Sequence, residues 1–346
     1  MCTLNMSCLS SPHLVVFVFL YCCISLIMFP FQNMSDYMDY FGESSPLALV
    51  GANSHARVSG ERHTGGVLGW EITTGDYGTR RESNENSFVS EKFRRSMWWL
   101  MRQSDYPLGF FFRLGGERVL DDIIVLEQFS KKLSIHNVEH SFHLDIKGCQ
   151  SLLPFSVLLP RTESICLTDS WLTSLQSLES LEVLRSVEMT DCHGDFNLAP
   201  LGSCKNLTHL DVAYCKGSTG LKALGSLRSL KVVDVRGLNI TTVEFLKNCD
   251  NLETLYVSDC EHLNSLDGLS GLESLTYVMA KESGVKNIRG LSGCVALQTL
   301  DVSNCKHLSS LNGLSGLRNL TYVTAEESGV KSIRGLSVAW PWRWLM

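Results

Sequence analysis

Nine segments of the chain share one order of hydrophobic and polar residues. Apolar residues occupy the fourth and sixth positions of every segment and the first position of seven of them, as in Leu207, Leu210 and Val212. Positions four and six alternate with more polar residues, which is typical of a strand buried on one side. The copies follow each other mostly at 22 or 23 residues, and they begin at Ser141, Thr162, Leu184, Leu207, Leu230, Leu252, Leu275, Leu297 and Leu320.

Between these predicted strands the apolar spacing changes to three residues, as in Leu263, Leu266, Leu269 and Leu272. A spacing of three does not match the turn of an α-helix, and a repeat of this length leaves no room for a long one. We therefore predict that the chain returns from each strand through 3₁₀ helix or extended turns.

A second period of 45 residues lies over the first, because Cys249–Ser292 recurs closely as Cys294–Ser337. The pattern L-x-x-L-x-V-S-x-C-x-x-L in these copies resembles the leucine-rich repeat family. Its cysteine-bearing, short-period form is most similar to leucine-rich-repeat proteins of trypanosomatid parasites. The resemblance covers residues 132–346 and implies an α/β solenoid of about nine coils, with a parallel concave sheet and a 3₁₀ or extended convex side.

The residues before the repeats divide into three further segments. Residues 1–35 contain the apolar run Leu14–Phe31, which we interpret as a membrane anchor. One alternative is a cleaved signal peptide. The other is a segment that does not insert into a membrane, or that is translated only because an upstream start codon is used. The nearest positive charges, Arg57 and Arg62, favour a cytoplasmic location for the repeats. Residues 36–87 are polar and aperiodic and are predicted to be a disordered linker.

Residues 88–131 are predicted to form a helical N-terminal cap on the solenoid. Phe88–Gln103 has an apolar face and a basic remainder, and Gly116–Lys132 is predicted to be a second helix. A basic aromatic helix also suits a membrane surface, but closing the open end of a repeat array is the preferred interpretation.

Composition narrows the function. The chain has 346 residues, 44% of them hydrophobic and 19% charged, with a net charge of −6, so a wholly disordered chain is excluded. Because residues 1–56, 57–140 and 141–346 each carry no net positive charge, nucleic acid is not an expected partner.

The thirteen cysteines are not spaced as a zinc site or a disulfide framework, since no C-x-x-C pair occurs. Eight recur at two fixed positions of the repeat, so we expect buried free thiols and a reducing compartment. These eight are Cys149, Cys192, Cys204, Cys215, Cys249, Cys260, Cys294 and Cys305.

One catalytic motif is present, because His136–His140 reads H-x-x-E-H, as in inverted zinc peptidases. On a helix, His136 and His140 would share a face and Glu139 would act as general base. However, Ile135 and Val138 continue the three-residue spacing that precedes each strand, so we keep a metallopeptidase only as a remote alternative and expect no catalytic, metal or cofactor site.

Strand positions three, five and seven point away from the core and predict the residues of a concave binding face. Acidic residues dominate its first half and tyrosines its second half, and exposed tyrosines make good interface anchors. Aspartate at position five is also ordinary repeat filler, and this alternative stays open. The predicted binding residues are Asp145, Glu188, Asp211, Asp234, Tyr256, Tyr277, Asp301 and Tyr322.

These features predict a non-enzymatic protein-binding module, an adaptor or regulatory scaffold with a protein partner on its concave face. The alternative is a membrane-anchored or secreted recognition protein with its repeats outside the cell. At the C-terminus the repeat pattern breaks off within a tenth copy, where Trp340, Trp342 and Trp344 lie beside an uncapped coil edge. We expect a truncated repeat domain there, or self-association that covers this edge.

Overall fold

The computed structural model describes residues 57–64, 67–73, 108–114 and 140–331; in the first three ranges, side chains are described only for Phe112 and Leu114. The chain divides into two compact units. The first contains residues 1–111 and 118–141, and the second contains residues 112–117 and 142–346. The repeats lie in the second unit.

The first unit contains an antiparallel hairpin of β1 (Arg57–Thr64) and β2 (Val67–Thr73), in which Thr64 pairs with Val67. Both strands lie inside the segment predicted to be a disordered linker, so the structure differs from that prediction over these residues. The sequence contains a signal for this hairpin, since a Gly-Gly pair such as Gly65 and Gly66 between two strand-like segments favours a two-residue turn. The boundaries of the linker stay a prediction.

Strand β3 (Leu108–Leu114) lies inside the segment predicted to be a helical cap. Its sequence has three consecutive phenylalanines, and aromatic residues favour an extended strand over a helix. Phe112 and Leu114 are fully buried, and the Phe112 ring lies 5.4 Å from that of Phe142 within the second unit. The two predicted cap helices, Phe88–Gln103 and Gly116–Lys132, lie outside the described residues.

Nine parallel strands follow in sequence order, and each pairs with the next. They fall at the nine predicted repeats, and position three of every repeat pairs with position three of its neighbour. The fold prediction is therefore confirmed at the level of register. The strands are β4 (His140–Lys147), β5 (Thr162–Thr168), β6 (Ser186–Thr190), β7 (His209–Asp211), β8 (Val232–Asp234), β9 (Thr254–Tyr256), β10 (Tyr277–Met279), β11 (Thr299–Asp301) and β12 (Tyr322–Thr324).

The chain returns between strands through short 3₁₀ helices, as the spacing of three predicted. Leu269 donates its backbone N–H to Leu266, and Leu272 donates to Leu269, at 3.0 and 3.1 Å. Successive buried leucines are thus joined by i to i−3 hydrogen bonds, which keep them on one side of the turn. The 3₁₀ segments are Leu153–Phe155, Leu159–Arg161, Gln176–Leu178, Ala199–Ser203, Leu221–Ser226, Glu244–Leu246, Asp267–Leu269, Arg289–Leu291 and Asn312–Leu314.

Leucine, valine and cysteine side chains from each coil fill one continuous core between the sheet and the 3₁₀ segments. Leu210, Leu255 and Leu300, at position four, are at most 1% exposed. A single coil would leave its part of this core open toward the coils before and after it, so each coil depends on its neighbours for burial.

Several predictions concern residues that the structure does not describe. Within the described residues no helix is both long and apolar enough to cross a bilayer, and the run Leu14–Phe31 lies outside them. The C-terminal tryptophans also lie outside them. The membrane anchor and the self-association edge stay predictions.

Candidate protein-binding face

The structure places all eight predicted binding residues on strands β4 and β6–β12, at repeat position three or five. Asp145, Glu188, Asp211 and Asp234 lie in one row that Cys166 of β5 completes, since each position five pairs with the next. Tyr256, Met279 and Asp301 continue this row, while Tyr277 and Tyr322 lie in the row of position three.

Three of the aspartates have a local structural role. Asp211 Oδ1 accepts the backbone N–H of Ala213 at 2.9 Å, and Asp301 accepts that of Ser303 at 2.9 Å. Asp234 likewise accepts the N–H of Arg236 at 3.1 Å. These bonds satisfy backbone donors just beyond the strand ends, so these three aspartates help to stabilise the repeat whether or not they also bind a partner. Burial raises the pKa of Asp211 above its ordinary value.

Arg236 is the centre of a cluster that the sequence reading missed. Its guanidinium contacts the buried Asp234 carboxylate through Nε at 2.8 and 2.9 Å and through Nη2 at 2.6 Å. It also lies 5.6 Å from the centre of the Tyr256 ring and 6.0 Å from that of Tyr214. The hydrogen bonds with Asp234 raise the pKa of Arg236. The ion pair and the two rings hold this cation in one place on the face.

Tyr214 extends across the next coil. Its ring lies directly over Gly237, and its hydroxyl donates to Asp259 Oδ2 at 2.6 Å. This hydrogen bond raises the pKa of Tyr214. Tyr214 and Arg236 occupy repeat positions eight and seven, and reading those positions coil by coil would have found both.

The tyrosine patch is divided in two. The ring centres of Tyr256 and Tyr277 lie 5.6 Å apart and the ring planes are tilted, an arrangement that aromatic pairs prefer. Tyr322 is separated from Tyr277 by Thr299 of β11 and is 38% exposed. Burial raises the pKa of Tyr277. The face thus has a packed tyrosine pair and a separate, freer tyrosine.

Every coil turns away from the sheet through a residue with positive φ at repeat position eight. Seven of these nine residues are not glycine, for example Tyr214 at +58° and Glu282 at +57°. Six of the nine are Gly, Asp or Asn, the residue types that adopt left-handed backbone most readily. It is costly at Tyr214, Glu282 and Glu327, so at those three residues the turn is imposed by the stacked coils. The nine residues are Gly148, Asp169, Asp191, Tyr214, Gly237, Asp259, Glu282, Asn304 and Glu327.

Seven of the eight repeat cysteines are buried in two rows and donate their thiols to the preceding coil, whereas Cys149 of the first coil is half-buried. Cys260 Sγ donates to the Val235 carbonyl at 3.3 Å, and Cys305 donates to that of Ala280 at 3.1 Å. In the second row, Cys294 donates to Leu269 at 3.2 Å. Burial raises the pKa of Cys260 and Cys294 to about 11. All nine described cysteines are free, and the prediction of buried thiols is confirmed for seven of the eight repeat cysteines in this part of the chain.

The H-x-x-E-H motif is described only at its last residue, since His140 begins β4 and is buried. His136 and Glu139 lie outside the described residues. Among the residues that are described, no group of three or more histidine, cysteine or acidic side chains is placed to hold a metal ion.

The sequence and the structure were compared with those of known proteins. No protein-family model matches the sequence, and a search of curated proteins finds no match. The structure is similar to that of an internalin from Listeria monocytogenes, with a TM-score of 0.52 and 19% identity, over 61% of this chain and 59% of the internalin. Internalin C2 of the same species gives a TM-score of 0.47 at 22% identity, over 51% of this chain and 76% of its own.

A leucine-rich-repeat protein from Leptospira interrogans matches with a TM-score of 0.44 and 16% identity, over 65% of this chain and 73% of its own. The finer resemblance to the trypanosomatid form has no support in these comparisons. The in-register parallel strands, the 3₁₀ returns and the similarity to the first internalin show that this chain has the leucine-rich repeat fold.

Proposed function

We propose that this chain is a non-enzymatic protein-binding module, an adaptor or regulatory scaffold that holds a protein partner on its concave face. One observation carries the proposal: nine adjacent strands align their outward side chains in continuous rows. Such rows present many side chains on one surface, which suits a protein better than a small molecule.

The second half of the face supplies the binding anchors. Tyr277 and Tyr322 are partly exposed, and tyrosine buries a large area with few torsions to freeze. Arg236 is already held by Asp234, so a partner would meet a positioned cation and would not have to order it. The acidic first half would favour a partner with basic residues opposite Glu188.

Replacing Tyr277 and Tyr322 together by alanine should weaken partner binding and leave the full chain folded, with only the small loss of stability that ending the Tyr256–Tyr277 contact brings. We expect at least ~10-fold weaker binding, because interface tyrosines each carry ~1–2 kcal/mol or more. The measurement is titration of a partner first captured by the wild-type chain and then purified.

Trp171→Ala is the matched control, since Trp171 is an aromatic residue that is 64% exposed and lies beyond the end of its strand. It should leave the affinity unchanged. If the double tyrosine variant binds as tightly as the wild type, the tyrosines are not part of the binding site.

The free thiols and two glycosylation sequons, at Asn206 and Asn319, bear on the cellular compartment of the repeats. Asn206 Nδ2 donates to the Glu182 carbonyl at 2.6 Å, and Asn319 Nδ2 donates to that of Val295 at 2.9 Å. A glycan on either nitrogen would leave it a single N–H and would have to fit beside this contact between coils. Together with the buried free thiols, this supports a reducing, cytoplasmic location for the repeats over the cell-surface alternative.

Mass spectrometry of the chain from its own cells should therefore find reduced cysteines and unmodified Asn206 and Asn319. Alkylation before any reductant is added preserves the thiol state. A disulfide at Cys192, Cys260 or Cys305, or a glycan on either asparagine, would support the cell-surface alternative.

A further inference from the structure

A groove lies on the side opposite the sheet, between the 3₁₀ segments Leu221–Ser226 and Glu244–Leu246. Its volume is about 630 Å³, which is within the size range of ligand sites. Lys222 and Arg228 line it from one coil, and Phe245 and Lys247 line it from the next. The 3₁₀ segment of six residues on its first side is the longest in the described part of the chain.

The groove is positive on a chain that is negative overall. Its lining includes three cations and a single acid, Glu244, whereas the whole chain has a net charge of −6. Lys222, Arg228 and Lys247 are all exposed, and none has a carboxylate of the described residues within 4.0 Å. By contrast, Lys231, just beyond the groove, is paired with Glu253 at 2.7 Å.

The 45-residue period provides an internal comparison. Forty-five residues further along, the positions of Lys222 and Arg228 are occupied by Asp267 and Glu273, and that of Lys247 is occupied by a serine. The leucine ladder and the 3₁₀ turns continue through both pairs of coils. The coil structure therefore does not need these cations, and the positive groove is a local departure from the repeat.

The remaining lining residues indicate what kind of anion fits. Phe245 is half-buried and lines the groove, so an apolar surface lies among the cations. The equivalent residue 45 positions later is Gly290, which has no side chain. Asn248 donates to the Gly225 carbonyl at 3.3 Å and ties the two sides of the groove together. A long polyanion such as nucleic acid would extend over the acidic residues of the next coils, including Asp267 and Glu273, and would be repelled.

We propose that this groove binds a short acidic peptide segment of a protein partner, with an apolar or aromatic side chain packed on Phe245. The site is on the opposite side from the concave face, so the chain would carry two separate binding surfaces, as an adaptor requires. The proposal does not depend on the concave site.

The test is fluorescence anisotropy of the full chain with a fluorescein-labelled, glutamate-rich peptide that has one central phenylalanine. We expect saturable binding that weakens as salt is added. The variant Lys222→Asp with Arg228→Glu should bind at least ~10-fold more weakly, because attraction becomes like-charge repulsion. This variant installs the residue types that the chain already carries at Asp267 and Glu273, so the coils should fold.

The matched control is Lys216→Asp with Lys286→Glu, which makes the same change in net charge at exposed positions outside the groove. It should retain wild-type binding. Equal loss in both variants, or no binding of the peptide by the wild type, would overturn the proposal. Binding of phosphatidylserine vesicles in place of the peptide would also overturn it. None of these results would bear on the tyrosine variants of the concave face.

Discussion

Leu255→Ala should lower the free energy of unfolding by ~2–5 kcal/mol, the range measured for buried leucines in other proteins. Leu255 is fully buried in β9, where it pairs with Val233 on one side and Val278 on the other. Removing its side chain leaves a cavity in the middle of the core that stiff, stacked coils fill poorly. Denaturant titration followed by circular dichroism measures the loss.

Leu153→Ala provides the control, because the Leu153 side chain is 69% exposed in a 3₁₀ segment of the same domain. Its loss should stay below ~0.5 kcal/mol, as for most surface substitutions. A loss below that value for Leu255→Ala would contradict the repeat register.

Gly290→Ala should destabilise the domain by ~3 kcal/mol, the upper end of the usual cost of overpacking. A Cβ atom at residue 290 would lie 2.0 Å from the Leu266 carbonyl oxygen and 2.3 Å from its carbon. These are backbone atoms of the preceding coil, which cannot rotate away as a flexible side chain would. Equilibrium unfolding in denaturant is the measurement.

The matched control is Gly271→Ala, the same substitution at a glycine with open space. No atom lies within 4 Å of the new Cβ there, but φ is +82°. Only the backbone cost of a left-handed alanine, about 1 kcal/mol, should appear. If the two variants lose equal stability, close packing between coils is not the reason for glycine at position 290.

The close approach at Gly290 recurs in neighbouring coils. A Cβ at Gly268 would lie 2.4 Å from the Val243 carbonyl oxygen, and one at Gly313 would lie 1.9 Å from that of Ile288. The 3₁₀ segment of each of these coils therefore packs directly on the backbone of the coil before it. The pattern of apolar residues does not show this contact, because a glycine in a polar turn has the same appearance whether or not another chain segment touches it.

The sequence predicted on which side of the sheet the candidate binding residues lie, but not the contacts that they make. Period-two alternation placed Asp211 and Tyr277 on the outer side of the sheet, because adjacent residues of a strand point to opposite faces. The same alternation could not show that Asp211 bonds its own backbone or that Arg236 lies between Tyr214 and Tyr256. The Arg236 contacts join residues about one repeat apart, and their geometry is decided by how the coils stack. The Asp211 carboxylate bonds the backbone of Ala213 only two residues away, and the conformation of the strand end decides that bond.

In the N-terminal segments, local sequence signals for strands β1, β2 and β3 were present, but the predictions for residues 36–87 and 88–131 rested on longer stretches of the chain. Gly65 and Gly66 indicate a hairpin, and the three phenylalanines of β3 indicate a strand. A polar, glycine-rich composition led to a linker prediction around the first, and neighbouring helical patterns led to a cap prediction around the second. Averages over long segments conceal elements of seven or eight residues such as these.

By itself, the sequence determined the strand positions, the 3₁₀ returns and the buried thiols, because each follows from a period that one coil contains. Only the tertiary structure decided the Arg236 cluster and the positive groove around Phe245. The physical reason is that these features need two or more coils in contact. Their residues lie about 22 or 45 positions apart in the chain, where no local periodicity relates them, and only stacking in register brings them together.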